Sequence, residues 1–343
     1  MKRARRARIV ATLEAGASDA FAAALFDAGA DVFRLRDGDG VAAWAASVAQ
    51  VRRVESARGH PLGVMIEPAD ASPQVLADAA ALGVDWIVLC GAGALTRARA
   101  VVGDAAWLMA RVDRPMADDT LDEVVANADG VLVGPADPAW QHRVASACRK
   151  VGQPVAVAVT QADLATAIYD GVDAVLLDAA GVDDLAHADH AIARIEASPG
   201  YRRGLDASHT PAQGNTVDAL CCSMRRVAAL IAPAALITYT DSGSTSRRAA
   251  RERPVAPILS LTPRLATARR LSLVWGVHPV LVDRLHDVGE MVKWANRTAV
   301  IEGYAGAGAD VVIVAGLPFG EPGATNLLHV SRIGGTPARA SAG

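Results

Sequence analysis

Arg34, Arg36, Glu67, Arg111, Asp113, Asp137, Thr160 and Gln161 each stand at or just past the C-terminal end of an apolar run. Three carboxylates and as many arginines would meet if those runs were neighbouring strands. Carboxylates converging around open space suit Mg²⁺ or Mn²⁺, which takes oxygen ligands and keeps waters for a substrate. Arginines beside them suit a phosphate or a carboxylate. The same charges equally suit a solvated rim that neutralises itself. A second constellation is "TDSGSTSRR", with Thr240, Ser242, Gly243, Ser244 and Thr245 between a strand and a helix. Small hydroxyl residues and a glycine at a helix N-terminus can hold an anion on backbone N–H groups; they also serve as ordinary N-caps. The Gly/Pro-rich "GLPFGEPGATN", residues 316–326, follows a strand in the same region and is expected to close over such a site. His187 and His190 sit three apart on a helical pattern, but without a third ligand nearby they are not expected to bind metal.

The elements that must position these residues follow from periodicity. Strand-like runs occupy 8–13, 31–36, 62–67, 86–90, 107–112, 130–134, 155–159 and 174–178, and most are unbroken rather than alternating. That pattern belongs to parallel strands buried on both faces. Ala-rich helical stretches such as "DAFAAALFDAGA" separate most of them. Eight parallel strands with intervening helices predict a (β/α)8 TIM barrel over residues 1–200, with its chemistry at the C-terminal strand ends. Only residues 68–72 separate the third strand from the next helix, so no inserted domain is expected there. Residues 201–214, rich in Gly, Pro, Ser and charge, are expected to be a linker. Residues 215–335 alternate again and predict a smaller α/β open-sheet C-terminal domain of four or five strands. Residues 336–343 are expected to be a disordered tail.

Composition narrows the class. The chain has 343 residues, 52% of them apolar, enough for a large core. A net charge of −3 gives no general nucleic-acid or membrane surface. The basic "KRARRAR" at residues 2–8 is expected to be a solvated lead-in. No apolar run approaches the roughly 18 residues of a membrane helix. The four cysteines lack zinc spacing and are expected to be reduced thiols in or near the core of a cytoplasmic protein.

Long collinear stretches then become recognisable. "RIVATL", "LFDAGADVFRL", "LDEVVANADGVLV" and "DGVDAVLL" resemble the barrel of pyruvate kinase, and "TDSGSTSRRAARERPVAPILSLTPRLATARRLSLVWGVHPVLV" and "VVIVAGLPFGEPGATN" resemble its C-terminal domain. The resemblance implies phosphoryl transfer from phosphoenolpyruvate to ADP with Mg²⁺ and usually K⁺. It also implies oligomers and a sugar-phosphate effector in the C-terminal domain. Carried onto this chain, it makes Arg34 a substrate-binding residue and places Arg111 at the lysine that stabilises the transferring phosphoryl group. It makes Asp113 and Asp137 the Mg²⁺ ligands, puts Ala136 and Asp137 against the substrate, and sets Thr160 beside the reacting carbons. Thr240, Ser242, Gly243, Ser244 and Thr245 become an effector-phosphate loop.

The departures are as informative. The family inserts a lid domain where residues 68–72 stand. Its "Asp-Leu-Gln-Gly-Pro-Lys" becomes "EPAD", and its "Asn-Phe-Ser-His-Gly" becomes residues 36–40, without the Asn and Ser that ligate K⁺. Its "Lys-Ile-Glu-Arg-Pro" becomes Arg111-Val112-Asp113-Arg114-Pro115, its substrate-side glycine becomes Ala136, and a segment between Gln161 and Asp163 is deleted. Three alternatives stay open. The first is a lidless relative with impaired kinase chemistry, weak Mg²⁺ (or Mn²⁺) binding without K⁺, and a site for a small 2-oxo acid or phosphoenolpyruvate. The second is an active, K⁺-independent kinase in which Arg36 supplies the missing charge. The third is a regulatory or scaffolding subunit that senses a phosphorylated metabolite. A homo-oligomer, or a hetero-oligomer with a full-length pyruvate kinase, is expected throughout.

Overall fold

The computed structural model describes residues 2–36, 40–178, 180–209, 214–319 and 325–334. The first elements alternate strictly: β1 (Arg8–Leu13), α1 (Asp19–Ala28), β2 (Val32–Leu35), α2 (Gly40–Arg58), β3 (Gly63–Ile66), α3 (Pro73–Ala81), β4 (Trp86–Cys90) and α4 (Ala92–Val102). They continue as β5 (Trp107–Val112), α5 (Asp118–Asn127), β6 (Gly130–Val133), α6 (Pro138–Val151), β7 (Val155–Ala158), α7 (Leu164–Tyr169), β8 (Ala174–Leu177) and α8 (Val182–Glu196). The eight strands pair in sequence order and β8 closes on β1, all parallel, so the barrel expected from the unbroken apolar runs is present. Residues 67–72 alone join β3 to α3, and no domain is inserted.

The strand pleat decides which side chains meet. Ile9, Ala11, Phe33, Val64, Ile87, Leu108, Val131, Val157 and Val175 form one buried cluster with the helix faces. Successive strand residues point to opposite faces, so the alternate positions point into the barrel. These include Val10, Met65, Val88, Met109, Leu132 and Leu176, all buried. Continuing the same phase to the C-terminal end brings Thr12, Arg34, Cys90 and Arg111 to the barrel mouth. Register agrees, with Thr12 beside Arg34 and Cys90 beside Arg111.

Helix α9 (Pro199–Ala207) occupies much of the stretch expected to be a linker. Ser198 Oγ accepts from the Tyr201 backbone N–H at 3.2 Å, Pro199 opens the first turn, and Tyr201 and Leu205, one turn apart, are buried. The Gly/Pro/Ser composition thus encodes a helix start rather than a loop. The expected tail at 336–343 and linker residues 210–213 lie outside the described residues.

A second compact unit holds α10 (Thr216–Ile231), β9 (Ala235–Tyr239), α11 (Ser244–Arg251), β10 (Ile258–Thr262), most of α12 (Leu265–Leu271), β11 (Val277–Leu281), α13 (Val288–Ile301), β12 (Asp310–Gly316) and β13 (Thr325–Arg332). Its five strands run in the order β11-β10-β9-β12-β13, with β13 antiparallel to β12 and the remainder parallel. Ile237, Leu259, Met291 and Ile313 lie in its core. Residues Arg269–Gly276 cluster instead with the barrel unit. There Arg269 pairs with Glu55 at 2.6 Å, and the Trp275 indole N–H donates to Tyr201 Oη at 3.2 Å, so Trp275 is a core residue. No helix among the described residues is long and apolar enough to cross a membrane.

The basic N-terminal run is not a solvated lead-in. Arg5, its side chain fully buried, donates to Asp31 at 2.8 Å and to Asp189 at 2.7 Å. Arg3 and Arg8 approach the same Asp31 at 3.3 and 3.5 Å, and the Arg6 and Ala7 backbone N–H groups donate to Glu196. A charge run is buried here because acids on α8 and before β2 wait for it, which periodicity cannot reveal. Burial alone would raise the Asp31 carboxyl, but Arg5, Arg8 and Arg3 outweigh it and hold it well below the usual range. The stability this confers is complete above the unfolded carboxyl pKa of about 4 and is lost as pH falls below it. Asp31→Asn should cost about 3–5 kcal/mol at neutral pH, because it strands buried arginine charge. It should also flatten the loss of stability between neutral and acid pH. Urea unfolding at pH 7 and pH 2 checks both, and equal stabilities of variant and parent at pH 7 would refute the pairing.

Candidate functional site

Glu67, just past β3, bridges two arginines. Its Oε2 accepts from Arg34 Nη2 at 2.8 Å and its Oε1 accepts from Arg111 Nη1. Arg34 and Glu67 are only 13% and 17% exposed, so this bridge is half-desolvated and worth more than a surface pair. Arg111 Nε turns the other way and donates to both Asp113 oxygens, at 3.0 and 2.8 Å. Asp178, one residue past β8, gathers the far side: its Oδ1 accepts from Arg36 Nη2 at 2.7 Å, Thr12 Oγ1 at 3.1 Å and Arg34 Nη1 at 3.2 Å. Arg36 also faces Glu14 at 3.6 Å. Three guanidiniums thus meet four carboxylates.

The electrostatics follow the contacts. Burial would raise the Asp178 carboxyl, yet hydrogen bonds from Arg36 and Thr12 and the Arg34 charge hold it below the usual range. Burial would lower the Arg111 guanidinium, yet Asp113 and Glu67 raise it. Burial pushes the Cys90 thiol up. Cys90 is exposed at the mouth rather than in the core, because it ends β4 in the inward phase. Gly134 is a tight point: a Cβ there would collide with Asp113 Oδ1, so glycine lets that carboxylate lie against the β6 end.

Two spaces flank this lattice. One, about 640 Å³, is lined by Arg34, Arg111, Gly134, Ala136, Thr160 and Asp178 among others. The other, about 610 Å³, is lined by Arg34, Arg36, Glu67, Cys90, Arg111 and Asp178 among others. Arg34, Arg111 and Asp178 face both. Ala136 and Thr160 thus share a chamber with Arg34 and Arg111. Thr160 donates its hydroxyl to Asp163 at 2.6 Å. Asp137 is the N-cap of α6, its Oδ1 accepting from the Ala139 N–H at 2.7 Å, with Pro138 in the first turn.

The donor set does not fit a resident divalent cation. Both Asp113 oxygens are engaged by Arg111, and an Asp137 oxygen caps its own helix. Among the described residues no group of three or more His, Cys, Asp or Glu side chains could hold a metal ion. His190 Nδ1 meets the Ala186 carbonyl at 2.7 Å, an ordinary helix-surface contact.

In the C-terminal unit, Gly243 (φ 85°) turns the chain into α11, and its N–H donates to Thr240 Oγ1 at 2.9 Å. Thr240 and Thr245 are buried, and the Thr245 hydroxyl is engaged by Thr325 at 2.8 Å. Ser242 is exposed and Ser244 half-buried, so these two offer hydroxyls outward. Of residues 316–326, those at 320–324 lie outside the described residues. Leu317 and Asn326 exchange hydrogen bonds of 2.9 and 2.6 Å at the base.

Residues 218–331 match the family model described as pyruvate kinase, alpha/beta domain. A pyruvate kinase of Methylorubrum extorquens is 33% identical over 285 residues, 73% of this chain and 60% of the relative. One from Agrobacterium vitis is 33% identical over 287 residues, 74% and 60% of the two chains. The pyruvate kinase of Geobacillus stearothermophilus is 32% identical over 254 residues, 65% and 43%. The chain belongs to the pyruvate kinase family. It spans about 60% of the length of the first two relatives.

Asp178, Thr12, Glu14 and Cys90 belong to the site although they are not among the strand-end polar residues named from the sequence. Asp178 had a usable signal, because it ends the eighth apolar run as Arg111 all but ends the fifth. Thr12 lies inside its strand, and Glu14 enters only through Arg36.

Proposed function

We propose that this pyruvate kinase-family chain binds a small oxyacid, a 2-oxo acid or phosphoenolpyruvate, at Arg34 and Arg111, and that its phosphoryl-transfer chemistry is impaired. One observation carries the proposal: Glu67 and Asp113 already occupy the guanidinium edges that a phosphoryl group and a metal would need. An incoming anion uses the remaining Arg111 Nη2, beside Gly134, and competes with Glu67 for the rest. Ala136, Pro138 at the start of α6 and Thr160 line the same chamber.

The impairment is additive. Arg111 is a forked donor where a compact ammonium would serve. Asp113 is a methylene shorter than Glu and is turned to Arg111. With only residues 67–72 after β3, no inserted domain excludes water from the mouth. Two or three such losses at ~2–4 kcal/mol each amount to a rate loss of roughly 10³-fold or more. In a coupled assay with phosphoenolpyruvate, ADP and Mg²⁺, kcat/KM is expected to fall at least that far below a full-length relative, with or without K⁺. Calorimetry should show oxalate binding that needs no metal and tightens in Glu67→Gln. A rate within tenfold of the relative would instead establish an active enzyme in which Arg36 supplies the charge of K⁺.

A regulatory role is the second reading, favoured because residues 218–331 match the family's alpha/beta domain. On this reading residues 240–245 bind the phosphate of an effector, through the Ser242 and Ser244 hydroxyls and the N–H groups that open α11. Millimolar sugar phosphates should then raise Tm by mass action, and Ser244→Asp should abolish the shift. No shift with any phosphorylated metabolite would remove this role.

We infer self-association, or assembly with a full-length pyruvate kinase, from the family resemblance. Light scattering at micromolar concentration should give a mass well above the 35.4 kDa of one chain, alone or after adding that partner. A mass of one chain under both conditions would overturn it.

A further inference from the structure

The larger chamber of the barrel mouth carries charges of both signs. Arg34 and Arg111 line it. Asp163, on the β7–α7 connection, and Asp184, in the first turn of α8, also line it. The β7–α7 connection is tied to that turn, because Gln161 Nε2 donates to the Asp184 carbonyl at 3.2 Å. Each of these carboxylates uses one oxygen on a local hydrogen bond. Asp163 Oδ2 accepts from Thr160, and Asp184 Oδ2 accepts from the Gly181 N–H at 2.9 Å. Neither makes an ion pair with an arginine, lysine or histidine among the described residues. Every carboxylate of the arginine lattice does. The remaining oxygens of Asp163 and Asp184 are therefore acceptors without a cation, in a chamber whose other cations are already engaged. Leu132, Val159 and Leu176 supply apolar wall in the same chamber.

Volume points the same way. Pockets of about 300–1,000 Å³ typically bury ligands of drug size, and this one is about 640 Å³. A three-carbon acid held by the arginines would leave most of it to water.

We infer that the chamber takes a two-ended ligand: a carboxylate or other oxyanion head on Arg34 and Arg111, a short methylene chain along the apolar wall, and an ammonium tail on Asp163 and Asp184. This rests on the proposed oxyacid site for the head and extends it by naming the tail. An ammonium has three donors and no acceptor. It therefore suits two carboxylates and the Thr160 and Gln161 oxygens better than a second anion or a hydrocarbon end would.

The test uses calorimetry on the whole chain. The probes are 4-aminobutanoate, 5-aminopentanoate and 6-aminohexanoate, each against the unsubstituted alkanoate of equal length, with oxalate as the head alone. At least one amino acid is expected to bind tenfold or more tighter than its alkanoate. Asp163→Asn and Asp184→Asn should each cut that preference several-fold and leave the oxalate Kd within twofold. Asparagine keeps the acceptor oxygen that each local hydrogen bond uses, and an unchanged Tm reports that both segments are intact. Oxalate binding with no preference for the amine at any length would overturn the tail and leave the head site standing. A preference that survives both substitutions would overturn the assignment to Asp163 and Asp184. Binding of neither oxalate nor any amino acid would overturn the head site and the tail together.

Discussion

One carboxylate shared by two guanidiniums organises the barrel mouth. Glu67 can hold both because of what lies between them. Arg34 stands on the neighbouring strand β2, but Arg111 stands on β5, beyond β4. In that gap β4 ends in Cys90, a small side chain, so Arg111 crosses above it to Glu67. Once Arg111 Nη1 is fixed on β3's carboxylate, its Nε faces its own loop and collects Asp113. Asp113 can lie there only because residue 134 has no Cβ. A chain of steric consequences thus runs from one charge pair through β4, β5 and β6. At partial burial each such pair is costly to break singly, since a half-desolvated charge is left behind.

The same arrangement sets what the mouth can recognise. A guanidinium in water attracts any oxyanion, but one already paired offers only its surplus N–H groups. On the proposed reading, head affinity is limited by competition with Glu67, and no inserted domain after β3 raises it by excluding water. A ligand bound firmly at such a site must draw on contacts away from the arginines. The chamber between β6 and β8, with its apolar wall and its two carboxylates lacking cations, is where such contacts are available.

The fold was legible because parallel barrel strands are short unbroken apolar runs, and eight of them with helices between admit few arrangements. The open sheet was legible for the same reason. Arg34, Arg111, Asp113 and Thr160 could be placed at one mouth, since strand ends are visible in sequence; Ala136 came only through the family resemblance. Their partners could not. Whether Asp113 faces an ion or Arg111 depends on the rotamers of two residues and on Gly134, and none of these has a periodicity. The N-terminal arginines show the same limit. A basic run at a chain end reads as solvated unless the acids that receive it, Asp31 and Asp189, are known to be near. Helix α9 was missed because Ser-Pro-Gly is both a loop composition and a helix start.

Whether the mouth is eroded or rebuilt is decided by how its changed residues fit each other. Erosion changes residues independently, and half-buried charges left without partners would each cost about 1–3 kcal/mol. Here all three guanidiniums and all four carboxylates of the lattice have partners. The altered positions also depend on one another. Only a forked donor can serve Asp113 through Nε and Glu67 through Nη1 with fixed geometry; an ammonium at residue 111 would have no such directions to divide. Glu67 reaches both arginines from the end of β3. Arg111, Asp113 and Glu67 are therefore intelligible as a set and not one at a time, which is the mark of a site reorganised around its own charges.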